Sequence, residues 1–184
     1  MEKYVYIGGI PGVGKTTTIS KLSSEFGCLK HISAGDYKGP ESKKKFGVSL
    51  SGLNQEQTTF INSWFFENIF NNYKGKTFLI DSHYTYPTGE NFVNLIPEKY
   101  APNFDLFILL EASASIVLDR RINRGRDKDS ITLSFLEKEL SVEKIEAKRL
   151  AKKYNIPLEK ISTENDFFES LNKFREIFRN YNLL

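Results

Sequence analysis

Residues 9–16, Gly-Ile-Pro-Gly-Val-Gly-Lys-Thr, combine glycines, a lysine and a hydroxyl at a spacing suited to one task. The glycines let the backbone curl so that successive N–H groups face an anion. The loop then opens a helix, whose N-terminal partial charge favours phosphate. In that pattern Lys15 reaches the β and γ phosphates of a nucleoside triphosphate, and the Thr16 hydroxyl ligates Mg2+. Gly9, Ile10, Pro11, Gly12, Val13, Gly14, Lys15, Thr16 and Thr17 are the expected triphosphate-binding residues.

Two more groups carry chemistry. The run Leu79-Ile80-Asp81-Ser82-His83 ends an apolar stretch on an acid. Asp81 has no acidic neighbour of the kind that activates water, so it is read as a Mg2+ ligand or a partner for a substrate hydroxyl. A loop cap is the plainer role. His83, neutral, can hydrogen-bond an acceptor or serve as an ordinary loop residue. Further on, Arg120, Arg121, Arg124 and Arg126 fall within seven residues. Arg120 and Arg124 are four apart and share a helix face. Arginines supplied in cis stabilise phosphoryl transfer by roughly 10³–10⁵ in rate, because a planar, always charged fork grips phosphate oxygens bidentately. Arg120, Arg124 and Arg126, with Lys15, are the expected catalytic cations; the alternative is a solvated basic face paired with Asp119, Asp127 and Asp129.

The elements that must position these groups alternate. Short apolar runs at 4–8, 29–33, 77–81, 105–110 and 157–162 read as strands. Helical periodicity follows the loop up to Gly27, opens at Asn54 with Gln57 three residues on, and recurs at 115–123, 134–154 and 166–181. The stripe Phe60, Ile61, Trp64, Phe65, Ile69 and Phe70 is expected in the core, and residues 37–52, with three glycines and Lys43, Lys44 and Lys45, as a mobile excursion. The alternation predicts an α/β fold with a parallel sheet covered on both faces. Ligands of such sheets lie at the carboxyl ends of the strands, where every group above falls. The 184 residues suit one domain, and the net charge of +3 is too small to indicate a nucleic-acid partner. One cysteine excludes an internal disulfide, and no leader or membrane-spanning run is visible; a cytoplasmic protein is expected. Two histidines and one cysteine do not make a zinc site, which leaves Mg2+ as the expected metal.

In these stretches the chain resembles the nucleoside monophosphate kinases, and among them the archaeal type of adenylate kinase. The resemblance rests on residues 9–17 (GIPGVGKTT), the segment Ile32-Ser33-Ala34-Gly35-Asp36, Asp81-Ser82-His83 followed by Thr85, Pro87 and Gly89, Asn103-Phe104-Asp105 leading to Glu111, and Arg120-Arg121 with Arg124-Gly125-Arg126-Asp127 and Ser130. It implies a P-loop NTPase fold, a five-stranded parallel sheet of order 2-3-1-4-5, an acceptor-binding lobe at about 36–73 and a short arginine-rich lid at about 120–132. It implies the reaction ATP + NMP ⇌ ADP + NDP with Mg2+ held by Thr16 and Asp81. It also places Ser33, Gly35 and His83, with Asp36, at the acceptor, and Asn165 near the ATP base. Tyr84 and Tyr86 read as an exposed stacking platform for an acceptor base, or equally as ordinary loop residues. Family members carry an arginine before the lobe helix, where this chain reads Ser49-Leu50-Ser51-Gly52-Leu53. Another small acceptor, or an ATP-binding regulatory protein with slow turnover, are the alternatives; lysines 43–45 are the nearest substitutes for the arginine.

Overall fold

The computed structural model describes residues 2–89, 91–125, 132–164 and 166–184. Five strands form one parallel sheet: β1 (Lys3–Gly8), β2 (Leu29–Ser33), β3 (Thr77–Asp81), β6 (Leu106–Glu111) and β7 (Leu158–Ser162). Their order, β2-β3-β1-β6-β7, is the expected 2-3-1-4-5 counted over sheet strands alone. The chain numbering differs because a separate antiparallel hairpin, β4 (Thr85–Thr88) and β5 (Asn91–Asn94), intervenes.

Alternation along the strands builds two cores. Val5, Ile7, Leu79, Ile108 and Leu110 face one side, against α1 (Lys15–Glu25), α4 (Ala114–Arg124) and α6 (Phe167–Asn180). Tyr4, Tyr6, Phe78, Ile80 and Phe107 face the other, against α3 (Gln55–Asn72) and α5 (Leu133–Tyr154). Strands buried on both faces are nearly continuous in apolar residues, which is why they stand out in the sequence. The capping box at Asn54 and Gln57 forms as expected, each side chain bonding the other's backbone N–H. No helix among the described residues is long and apolar enough to cross a membrane.

Three expectations fail for physical reasons. Residues 37–52 are not an excursion: α2 (Ala34–Phe46) takes the first ten of them despite Gly35, Gly39 and Pro40, and a 3-10 turn at Leu50–Gly52 follows. Tertiary contact outweighs propensity there, as Tyr37 packs on Trp64 and Phe65 of α3 with ring centroids 5.5 and 5.4 Å apart. Of the expected stripe, Ile61, Phe65 and Ile69 are buried, but Phe60 is exposed and Phe66, outside the stripe, joins the core. Tyr84 is wholly buried, its hydroxyl donating to the Ile108 carbonyl at 3.3 Å, so it is no exposed stacking platform and does not face an acceptor. It occupies the space above Gly8 that a side chain would need.

A Cβ on Gly8 would lie 2.2 Å from Tyr84 Cε2. Gly8→Ala is therefore expected to cost about 1–3 kcal/mol in urea unfolding. The pair Gly8→Ala/Tyr84→Leu should recover part of that loss, and equal losses in the single and double variants would contradict the assignment.

Candidate nucleotide and acceptor site

Strand register sets the site's geometry. Asp81 pairs with Ile7 on one side and Ser33 on the other, so the ends of β1, β2 and β3 form one row. The phosphate loop rises from β1 and turns into α1 through glycines that an L side chain could not replace without strain. Gly9 has φ 139°, and Gly14, the cap of α1, has φ 98°. A cleft of about 880 Å³ runs from this loop to the α2–α3 lobe.

At the loop end, the Thr16 hydroxyl donates to Asp81 Oδ2 at 2.6 Å. Burial alone would raise the Asp81 carboxyl. His31, Lys15 and Thr16 outweigh it and hold the group below its ordinary range. These two hard oxygens fit Mg2+, which takes few protein ligands and completes its shell from phosphate and water. Among the described residues, no cluster of three or more His, Cys, Asp or Glu side chains offers a fuller cage. His31, on β2, brings Nε2 within 3.5 Å of Asp81 Oδ2.

Lys15 is buried and folds back on the loop, bonding the carbonyls of Gly9 and, at 3.2 Å, Ile10. Burial lowers its pKa, with Asp81 and Glu143 opposing. His83 Nδ1 also meets the Gly9 carbonyl and stands 3.3 Å from Lys15 Nζ. Burial and the neighbouring Lys15 charge push His83 down to about 3, so its imidazole is neutral. The network assigns the proton to Nδ1.

The expected residues divide clearly. Pro11, Gly12, Gly14, Lys15, Thr16, Ser33, Gly35, Asp36, Asp81, His83 and Arg124 line the cleft. Ile10 and Val13 are buried beneath the loop. Thr17 is exposed on α1, outside the cleft lining. Arg120 lies on the far side of the loop, where its guanidinium donates to the Thr163 carbonyl and hydroxyl and reaches the Val13 carbonyl at 3.4 Å. Arg126 and Asn165 fall outside the described residues, as does the stretch 126–131 of the expected lid.

Two buried charged side chains at the site carry no signal in the sequence. Glu143, on α5, is buried and accepts from Gly9 N, Tyr84 N and Thr85 N, each at 2.8 Å, and from the Thr85 hydroxyl at 2.9 Å. One acid in a long charged helix carries no local signal of such a role. Lys38, on α2, is also buried, lines the cleft, and donates to Asn62 Oδ1 at 2.7 Å. It was hidden in the segment read as an excursion. Arg121, 3% exposed, pairs with Glu139 at 2.8 Å and donates to the Pro11 carbonyl at 2.9 Å.

Comparison with known proteins adds to this. The sequence model of the family described as "AAA domain" matches residues 8–133, more than half of the chain. The chain is 32% identical over 127 residues to a protein of Pyrococcus furiosus that bears the name "Putative adenylate kinase". The alignment covers 69% of this chain and 58% of that protein, so it spans less than two thirds of the relative's length.

Burial lowers the Lys38 pKa from 10.5 to about 8. A folded-state pKa below the unfolded value penalises folding below about pH 8, and the penalty lifts as pH rises toward 10.5. Lys38→Met is therefore expected to be more stable than the parent at pH 7 by on the order of 2–3 kcal/mol. The gap should narrow by pH 10 in parallel urea titrations, and a gap constant with pH would contradict the assignment.

Proposed function

The chain belongs to the AAA-domain family of P-loop proteins, among its adenylate kinase-like members, and on that premise we propose that it moves the γ-phosphoryl group of ATP to a nucleoside monophosphate. The observation that supports this most is the single cleft: a phosphate loop at one end, and at the other a lobe with its own buried cation. A protein that only bound and slowly hydrolysed ATP has no need of the second half.

Phosphoryl transfer asks for alignment and charge stabilisation. In the proposed reaction the loop N–H groups hold the donor phosphates, and Lys15 leaves the Gly9 and Ile10 carbonyls for the β and γ oxygens. Mg2+, when bound, would neutralise charge across those phosphates, with Thr16 and Asp81 as its protein partners. Arg124, at the cleft edge, is the described arginine placed to meet the transferring group; Arg126 is proposed beside it. Arg120 braces the loop from behind. Ser33, Gly35, Asp36 and neutral His83 face the acceptor, within a lobe proposed at 36–73 and under a lid at 120–132. The acceptor oxygen forms the new P–O bond as the β–γ bridge breaks, giving ADP and a nucleoside diphosphate. The stretch 49–53 lacks an arginine, and this favours a monophosphate other than AMP, or another phosphorylated small acceptor, as the second reading.

A coupled ADP-release assay with Mg-ATP against AMP, CMP, GMP and UMP tests the proposal. Stimulation by at least one monophosphate is expected, and none by any would overturn it. Lys15→Ala should lower turnover roughly 10²–10³-fold, the scale for losing one preorganised charge donor. Its circular dichroism should stay that of the parent, and undiminished turnover would remove the donor site.

A further inference from the structure

Lys38 is an expensive residue to keep. Burying an ammonium away from water is unfavourable unless an opposite charge or several hydrogen bonds compensate. Lys38 is 6% exposed. Its partners are the neutral Asn62 amide oxygen at 2.7 Å and the face of Phe65, 5.5 Å from Nζ to the ring centroid. Among the described residues no carboxylate lies within 4.0 Å of it. Arg121, equally buried, shows how this chain neutralises a cation that serves structure alone: it pairs with Glu139. Lys38 instead borders open space in the cleft, across from Lys15.

We propose that Lys38, braced by Asn62, binds the anionic group the acceptor already carries, so that this half of the cleft takes a phosphorylated ligand in preference to its neutral counterpart. The inference deepens the phosphotransferase reading and rests on it for the ligand's part in transfer. Of the lysine run at 43–45, Lys44 and Lys45 stand outside the cleft lining, and Lys43 lines it but is exposed, where water screens its charge. Lys38 is a desolvated point charge lining the same cleft as the phosphate loop, where an anion gains more from the same contact. Asn62, 2% exposed on α3, fixes the ammonium's direction.

Charge state adds a second handle. Burial brings Lys38 down to about 8, within reach of an ordinary titration. The ionisable groups sharing the cleft are Asp36 and Lys43 on its own helix, Asp81 and His83 after β3, and Lys15 and Arg124 on the loop side. From α3 it meets only neutral side chains, Asn62 and Phe65. A phosphate monoester completes its second ionisation near pH 6, so affinity should fall as pH rises from 7 to 9.5.

The test is calorimetric titration of AMP, CMP, GMP and UMP, and of the four nucleosides, into the full chain with the phosphate loop filled by Mg2+ and a non-hydrolysable ATP analogue. At least one monophosphate should bind the parent, and Lys38→Met should weaken it tenfold or more. The matching nucleoside and the ATP analogue should shift less than twofold. Equal weakening of monophosphate and nucleoside, an unchanged monophosphate affinity, or no monophosphate binding to the parent would each overturn the inference. Should Lys38→Met not fold, the parent's pH profile decides: affinity flat from pH 7 to 9.5 overturns it. Lys38-dependent binding without ADP production would uphold the anion site and remove the phosphotransferase reading. Transfer with a KM unaltered by Lys38→Met would do the reverse.

Discussion

The Glu143 carboxylate joins three segments that no strand pairing connects. Its two oxygens accept four hydrogen bonds, from the first amide of the phosphate loop and from three donors just after β3. Each of those donors is buried, and an unpaired buried amide costs about 1–3 kcal/mol. Burial pushes the Glu143 pKa up, while the backbone amides of Tyr84 and Thr85 and the charge on Lys15 pull against it. The chain spends one desolvated acid to set the loop's entry angle, the position of His83 and the start of the β4–β5 hairpin together. Since α5 begins at Leu133, just after the segment proposed as the lid, the same contact ties that helix to the phosphate loop.

The loop is held from its other flank by cations. Arg121 takes the Pro11 carbonyl and is neutralised by Glu139, four residues before Glu143 and one turn away on α5. Arg120 takes the Val13 carbonyl and the end of β7 through Thr163, whose own hydroxyl donates to Val13 at 2.7 Å. So two of the clustered arginines act as backbone clamps on the carbonyl side of the loop. That leaves the amide side to a phosphate and Arg124 to the cleft. A basic cluster in sequence thus divides, by the contacts each guanidinium makes, into groups that shape the loop and a group that lines the cleft.

Much of this was legible before any coordinates. The buried parallel strands show as unbroken apolar runs, the phosphate loop as a spacing with one physical use, and α3 as a capping box ahead of an aromatic stripe. What was not legible depends on contacts distant in sequence. Helix α2 looks like a loop because Gly35, Gly39 and Pro40 are poor helix formers; it forms because Tyr37 and Lys38 dock on α3. The β4–β5 hairpin is only four residues a side and contains Pro87, too little alternation to read. Tyr84 sits beside a histidine and a second tyrosine in what reads as a polar loop, and nothing local says that Gly8 leaves room for its ring. Glu143 and Lys38 are ordinary surface residues by type, and only the fold takes them inside.

The misreading of α2 bears directly on the acceptor question. As a loop, residues 37–52 would offer a solvated lysine run, able to attract anions at long range and to hold none in register. Helix α2 instead leaves 43–45 exposed, with Lys43 alone of the three at the cleft, and turns Lys38 inward, so one cation is desolvated while three are not. An acceptor bound there is met by a fixed charge on one rigid element, facing a triphosphate loop fixed by another. Alignment of two phosphates across a cleft is what phosphoryl transfer requires of a protein. On the proposed reading, the packing of Tyr37 against Trp64 and Phe65, an apolar contact remote from any chemistry, is therefore what would give the second half of the cleft its preference.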